Sequence, residues 1–259
     1  MKKIITSLAL MFCICATAQN NTEIEYMFVH RSNNAVDSIP VSEIDSIVFV
    51  TPPVVDTPDN PTMAEAVDLG LSVKWASCNV GASSPEEQGN YYAWGEVEPK
   101  DNYTWETYKW CDGTEDSMLK YCTNGEYSYN VIDNKTVLDL EDDAAHVNMG
   151  GNWRMPTYDE FYELRKNCTI ISTTYKGVKG HKVVGPNGNS IFLPVGFYVD
   201  GTKVLAPFSI YWTASLNDNV SNEAYEFCPF STGGSSANKY NWFISAARYY
   251  GHVVRAVCE

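Results

Sequence analysis

Val73 and Trp75 alternate with the polar Ser72 and Lys74, the period-two pattern of a half-buried strand. A helical period follows further on, over residues 138–148, and the Gly150-Gly151 pair behind it can close that helix, because glycine accepts the left-handed conformation of a C-terminal cap. Trp153 and Met155 then point one way along a short extended run that Pro156 stops. Thr157 is placed to cap a second helix, with Glu160 three residues on to complete a capping box. In that helix Phe161 and Leu164 share a face, while Asp159, Glu160 and Glu163 stay in water. The turn Pro186-Asn187-Gly188-Asn189 predicts a hairpin between residues 181–184 and 190–193. Residues 211–215, 224–230 and 252–258 supply later strands, and long irregular stretches fill 96–137 and 216–250. The pattern is α+β, with small antiparallel sheets, two short helices and long loops.

Ahead of this region, residues 23–30 and 46–50 read as two short strands joined through Asn33-Asn34 and a turn at Pro40. Residues 19–50 thus form a short β-rich segment, too small for a core of its own. Residues 51–62 hold Pro52, Pro53, Pro58 and Pro61 with Asp56 and Asp59, which makes a semi-rigid extended linker. The globular domain is expected over 63–259. Residues 1–18 read as a secretory signal: basic Lys2 and Lys3, an apolar run, then Ala16-Thr17-Ala18 before a cleavage point. The run is too short to span a bilayer comfortably, so no transmembrane span is expected and the protein is expected to be exported, to periplasm, outer surface or medium.

Charge narrows the partners. Loss of Lys2 and Lys3 with the signal takes the formal charge from −14 to −16, which argues against nucleic acid and anionic membranes as partners. Six cysteines remain in the mature chain, and an even number in an exported protein favours disulfides. The expected pairing is Cys78 with Cys168, Cys111 with Cys122, and Cys228 with Cys258, although six cysteines allow about 15 arrangements. Zinc is disfavoured, since no close Cys-x-x-Cys pair occurs and the histidines are scattered.

Three motifs, in order, are Leu69-Gly70-Leu71-Ser72-Val73-Lys74-Trp75-Ala76-Ser77-Cys78-Asn79-Val80-Gly81-Ala82, then Gly150-Gly151-Asn152-Trp153-Arg154-Met155-Pro156-Thr157, then Gly251-His252-Val253-Val254-Arg255-Ala256-Val257-Cys258. Together with Tyr91-Tyr92-Ala93-Trp94-Gly95-Glu96 and Ser190-Ile191-Phe192-Leu193-Pro194, they resemble the major paralogous domain family first named from Fibrobacter and abundant in secreted Bacteroidetes proteins. The resemblance covers roughly residues 64–259 and implies a C-type-lectin-like fold of the sulfatase-modifying-factor branch. In that branch a Trp-Arg-Leu-Pro-Thr helix entry and a terminal Val-Arg strand recur.

The resemblance does not carry the chemistry of its relatives across. Sugar-binding C-type lectins use Glu-Pro-Asn or Gln-Pro-Asp and Trp-Asn-Asp as calcium ligands, whereas this chain has Gly185-Pro186-Asn187 and Asn241-Trp242-Phe243. The modifying enzymes use two closely spaced cysteines near the C-terminus to hold copper, and here Cys228 and Cys258 stand far apart. The run Asp139-Leu140-Glu141-Asp142-Asp143 offers oxygen ligands to calcium, but it also suits a helix start, and it lacks the alternating ligands of a calcium loop. No metal and no cofactor is expected, and no catalytic set stands out. His146, His181 and His252 read as packing or surface residues.

Trp75, Trp94, Trp153 and Trp212 sit in strand-like motifs and are expected in the core. The C-terminal stretch mixes Tyr225, Tyr240, Trp242, Tyr249 and Tyr250 with Asn217, Asn219, Asn222, Asn238 and Asn241, the blend of rigid aromatic area and adaptable amides that binding loops use. These ten residues are the candidate ligand site, with packing aromatics beneath a plain surface as the competing reading. The expected function is an exported, non-catalytic module that recognises an extracellular glycan or protein at the cell surface. A sulfatase-modifying-type oxidoreductase and a structural or adhesive surface component are the alternatives.

Overall fold

The computed structural model describes residues 26–30, 36–43, 64–128, 131–205, 210–229 and 243–259. The chain divides into two compact units, Met1–Pro58 and Asp59–Glu259. In the first, β1 (Tyr26–His30) pairs antiparallel with β2 (Val36–Pro40), with Met27 opposite Ile39. The partner of the first strand is therefore the nearer segment, reached by the short Asn-containing connection, and not 46–50. That segment, the expected signal and the expected linker lie outside the described residues.

The second unit is α+β, built of small antiparallel sheets and two α-helices among the described residues. Its first strands are β3 (Ala66–Val67) and β4 (Lys74–Ala76). The helices are α1 (Ala144–Met149) and α2 (Tyr158–Asn167). Then come β5 (Thr169–Tyr175), β6 (Val178–Val184), β7 (Ser190–Pro194), β8 (Tyr198–Asp200), β9 (Lys203–Leu205), β10 (Tyr211–Leu216), β11 (Glu223–Phe227), β12 (Phe243–Ala247) and β13 (Val257–Cys258). The sheets run β13-β4-β3, β5-β6-β7, β8-β9 and β10-β11-β12, so the first and last strands of the unit flank β4 in one sheet. No helix of the described residues is long and apolar enough to cross a membrane.

The central motif organises this arrangement. Asp143 caps α1 by accepting from the Ala145 and His146 amides, and Gly150, at a φ of 70°, ends it. The extended run beyond bridges the last strand, Arg154 N donating to Val257 O at 3.0 Å and Val257 N to Arg154 O at 2.9 Å. Thr157 then opens α2 with the full capping box: its hydroxyl accepts from Glu160 N at 3.3 Å, and its own amide donates to Glu160 Oε2 at 2.8 Å. Phe161 and Leu164 are fully buried beneath that helix.

Three apolar clusters fill the unit. Trp94, Trp153 and Trp212 share one; Trp75, Phe161, Tyr211, Phe227 and Val257 share a second; Tyr103, Tyr108, Met118 and Val199 form a third under the long 96–137 segment. All four expected core tryptophans are buried. Arg248 stitches the third cluster to the rest, because its buried guanidinium donates to Tyr108 Oη, Ser221 O, Lys120 O and Tyr121 O. That long segment is held from within, and its irregularity is not looseness.

Several local expectations are corrected. The stretch 138–148 is not one helix: a 3-10 turn at Leu140–Asp142 stops at Asp143, whose side chain turns away to cap α1 and to accept from Met155 N at 2.8 Å. The expected 252–258 strand shortens to β13 because Val253 and His252 make isolated bridges to different neighbours, Tyr211 and Tyr92. The 216–250 stretch contains β12 as well as β11. The bridges Cys78–Cys168, Cys111–Cys122 and Cys228–Cys258 are not formed. Local bonding explains part of this: Cys78 Sγ donates to Ala82 O, Cys111 Sγ to Trp105 O and Cys122 Sγ to Asn124 O, each satisfied by a nearby carbonyl. Cys168 packs against the second cluster, whereas Cys258 packs in the first.

Candidate functional site

Alternation along β11 divides the candidate residues between two faces. Tyr225 faces α2, its ring 5.0 Å from Tyr158, whereas Glu226 faces the opposite side and meets His252. The asparagines at the β10–β11 turn are structural. Asn217 is buried, accepts from Asn219 N at 3.2 Å and donates to Ser245 Oγ at 3.1 Å. Asn222 accepts the Arg248 amide through its carbonyl, and Asn219 is exposed beside Asp218. Asn238, Tyr240, Asn241 and Trp242 lie outside the described residues. Of the described aromatic residues among the ten, Tyr249 and Tyr250 stand together.

Around them the structure assembles a half-exposed aromatic cradle. Val199 and Gly251 exchange two backbone hydrogen bonds of 2.9 Å, which lays β8 beside the chain at 249–252. Gly251 is required there, since a Cβ would come within 2.8 Å of the Tyr103 ring. Tyr198 then stands 5.7 Å from Tyr250 and 5.9 Å from His252, and Tyr249 lies 4.5 Å from Tyr250 and 4.8 Å from Trp105, all between ring centroids. Asp200 accepts from Tyr249 Oη at 3.4 Å and makes no ion pair among the described residues. Arg248, immediately before Tyr249, is fully buried and fixed by four hydrogen bonds, so the cradle sits on a rigid support.

Beneath the aromatic rings lies a buried histidine–glutamate pair. His252 Nε2 is 3.0 Å from Glu226 Oε2, with both side chains almost wholly excluded from water and the Trp212 ring 4.2 Å from the imidazole. The contact lacks hydrogen-bond geometry, and His252 Nδ1 also has no hydrogen-bond partner among the described residues. Burial, then the Tyr250 and Asp200 neighbours, raise the Tyr249 phenol well above its ordinary value, and burial raises Tyr198. At neutral pH these phenols are O–H donors beside a carboxylate acceptor. Aromatic faces with such donors and acceptors suit a ligand rich in hydroxyl or amide groups.

Tyr198, Asp200, Trp105 and Glu226 are not among the residues that the sequence marks as candidates, and His252 reads there only as a packing or surface residue. Asp200-Gly201 is a hairpin-turn signal that could have placed β8 and β9, but the meeting of Glu226 with His252 is a product of tertiary structure. The acidic run is accounted for otherwise. Asp139, Glu141 and Asp142 do converge, yet Lys120 Nζ sits among them at 2.7, 3.4 and 2.6 Å, an internal cation where a metal would stand. Burial raises the thiol pKa values of Cys78, Cys111 and Cys168, the last to about 11, so these three are poor nucleophiles at neutral pH. Comparison of the chain with family models, with curated proteins and with solved structures finds no match in any of the three.

Proposed function

We propose that residues 63–259 form a C-type-lectin-like, non-catalytic binding module of an exported protein, which takes an extracellular glycan or protein through the cradle of Tyr198, Tyr249, Tyr250 and Asp200. The observation that carries this reading is the convergence of half-exposed phenols and an ion-pair-free carboxylate on a support fixed by Arg248. The lectin-like assignment is supported by the bridge between Arg154 and Val257, which sets the Trp-Arg-x-Pro-Thr helix entry beside the terminal strand. Export is supported by the basic, apolar and small-residue order of residues 1–18.

A glycan-array screen of the mature chain, followed by titration of the best binder, tests the proposal. Tyr250→Ala and Asp200→Asn should each weaken binding by about tenfold or more, roughly 1.4 kcal/mol, while Tyr225→Ala on the far face of β11 leaves it unchanged. Binding lost in Tyr225→Ala and retained in Tyr250→Ala would move the site to the α2 face.

A further inference from the structure

Charge is unevenly placed in this acidic chain. Between Glu163 and Asp200 there is no Asp or Glu, yet Arg165, Lys166, Lys176, Lys179 and Lys182 fall there. They surround β5, an edge strand of the three-stranded β5-β6-β7 sheet. All seven of its residues pair with β6 in unbroken register, and six of the seven are exposed, Ile170 being half-buried. The strand reads Thr-Ile-Ile-Ser-Thr-Thr-Tyr, without charge or proline, and Ile171 and Tyr175 are 47% and 41% exposed. Proteins ordinarily blunt an open edge with charge, proline, a bulge or brevity, and β5 has none of these. Among the described residues no hydrogen bond reaches its outer edge.

The cations are disposed around that edge. Lys182 lies opposite Ile171 and Lys179 opposite Thr174, positions of opposite parity, so each face of the sheet carries one. Lys166 and Lys176 stand at the two ends of the strand, and Lys176 pairs with Glu86 at 2.9 Å. Lys166, Lys179 and Lys182 make no ion pair among the described residues. We propose that the outer edge of β5 docks an extended acidic peptide segment of a partner protein, which adds as a fourth strand. Main-chain hydrogen bonds supply the docking and the flanking lysines select carboxylates. A second copy of this chain fits less well, because edge-to-edge pairing would bring two sets of these lysines together. An anionic polysaccharide would use the lysines but leave the backbone edge unpaired.

The test uses the mature chain and a fluorescein-labelled, eight-residue alternating Glu-Val peptide, with an alternating Lys-Val peptide as control, read by anisotropy and by hydrogen exchange of the 169–175 amides. The expected result is saturable binding of the Glu-Val probe, at least about tenfold weaker binding of the Lys-Val probe, weakening with salt, and slowed exchange in β5. Lys179→Glu with Lys182→Glu should abolish the preference without touching the backbone, and Ser172→Pro, which removes an amide facing away from β6, should abolish binding. Equal binding of the two probes, or binding without slowed exchange in β5, overturns the proposal. So does saturable binding of a heparin oligosaccharide that displaces the peptide while β5 exchange stays fast, or peptide-free dimerisation lost in Ser172→Pro.

Discussion

Two fully buried arginines, Arg248 and Arg255, carry much of the fold's specificity, and among the described residues neither faces a carboxylate. Arg255 donates from Nε to Asn79 Oδ1, from Nη1 to Ala76 O and from Nη2 to Phe192 O, all within 3.0 Å, which ties the β4 region to β7. Burial lowers its pKa, but guanidinium basicity leaves the charge in place, to be shared among three neutral acceptors. Lysine cannot reproduce that planar fork. Arg255→Lys should therefore cost about 2–4 kcal/mol by urea unfolding, against under about 0.5 for the exposed Asp159→Ala. Equal midpoints for the two variants would show that the three acceptors are satisfied without Arg255. Lys120 makes the parallel case among the acids, where burial opposes its charge but Asp139 and Asp142 more than restore it. Calcium should leave the melting temperature of the parent unchanged, whereas Lys120→Met should gain calcium-dependent stability, because three carboxylates then lack their cation. Calcium stabilisation of the parent would refute the internal-cation reading.

The start of α2 shows what an element inherits from its own sequence. Thr157 and Glu160 satisfy each other's amides, the Tyr158 amide donates to Ser215 Oγ at 3.0 Å, and Arg154 forks onto the Glu160 carboxylate. Burial pushes the Glu160 pKa up, but Arg154 and the Thr157 amide outweigh it, and the net direction is down. A depressed carboxyl stabilises the fold above its unfolded pKa and loses that contribution as pH falls through the folded value. Thr157→Ala should cost about 1 kcal/mol at neutral pH. The deficit of Glu160→Gln relative to the parent should shrink on acidification below pH ~4.3, and a deficit independent of pH would refute the ion-pair account. This cap was legible because its partners lie three residues apart, as was the Asn187-Gly188 hairpin joining β6 to β7. The break at Asp143 is not, since that side chain is drawn to Met155 N, and β5 has no counterpart among the expected strands although its β-branched run is the local signature of one. The cradle was half legible. Tyr249 and Tyr250 advertise themselves by composition, but Tyr198, Asp200, Glu226 and His252 join them only through the Val199–Gly251 bridge and the alternation of β11.

Across the whole molecule the buried ionisable groups set how stability responds to acid. His181 is buried, and burial holds its pKa down at about 4, so the folded protein refuses a proton that the unfolded chain accepts near pH 6.5. Between those values the unfolded state binds more protons, and stability must fall as pH falls, with a limiting slope of roughly 1.4 kcal/mol per pH unit. Asp143 works in the opposite sense: burial raises its carboxyl, so the folded state takes up its proton first and gains on acidification just above the ordinary Asp value. Asp139, lowered by Lys120 and Lys135, and Asp133, where backbone amides outweigh burial, reverse that gain as they protonate at still lower pH. The expected profile therefore has two descending stages, a histidine stage from about pH 6.5 to 4 and a carboxylate stage below it, with Asp143 blunting the join. His181→Leu should remove the first stage and leave the second, whatever its effect on absolute stability, because leucine neither binds a proton when unfolded nor excludes one when folded. Melting temperatures of parent and variant measured from pH 7 to 3.5 decide the matter. Parallel curves between pH 6.5 and 4.5 would mean that the acid response in that range comes from groups other than His181.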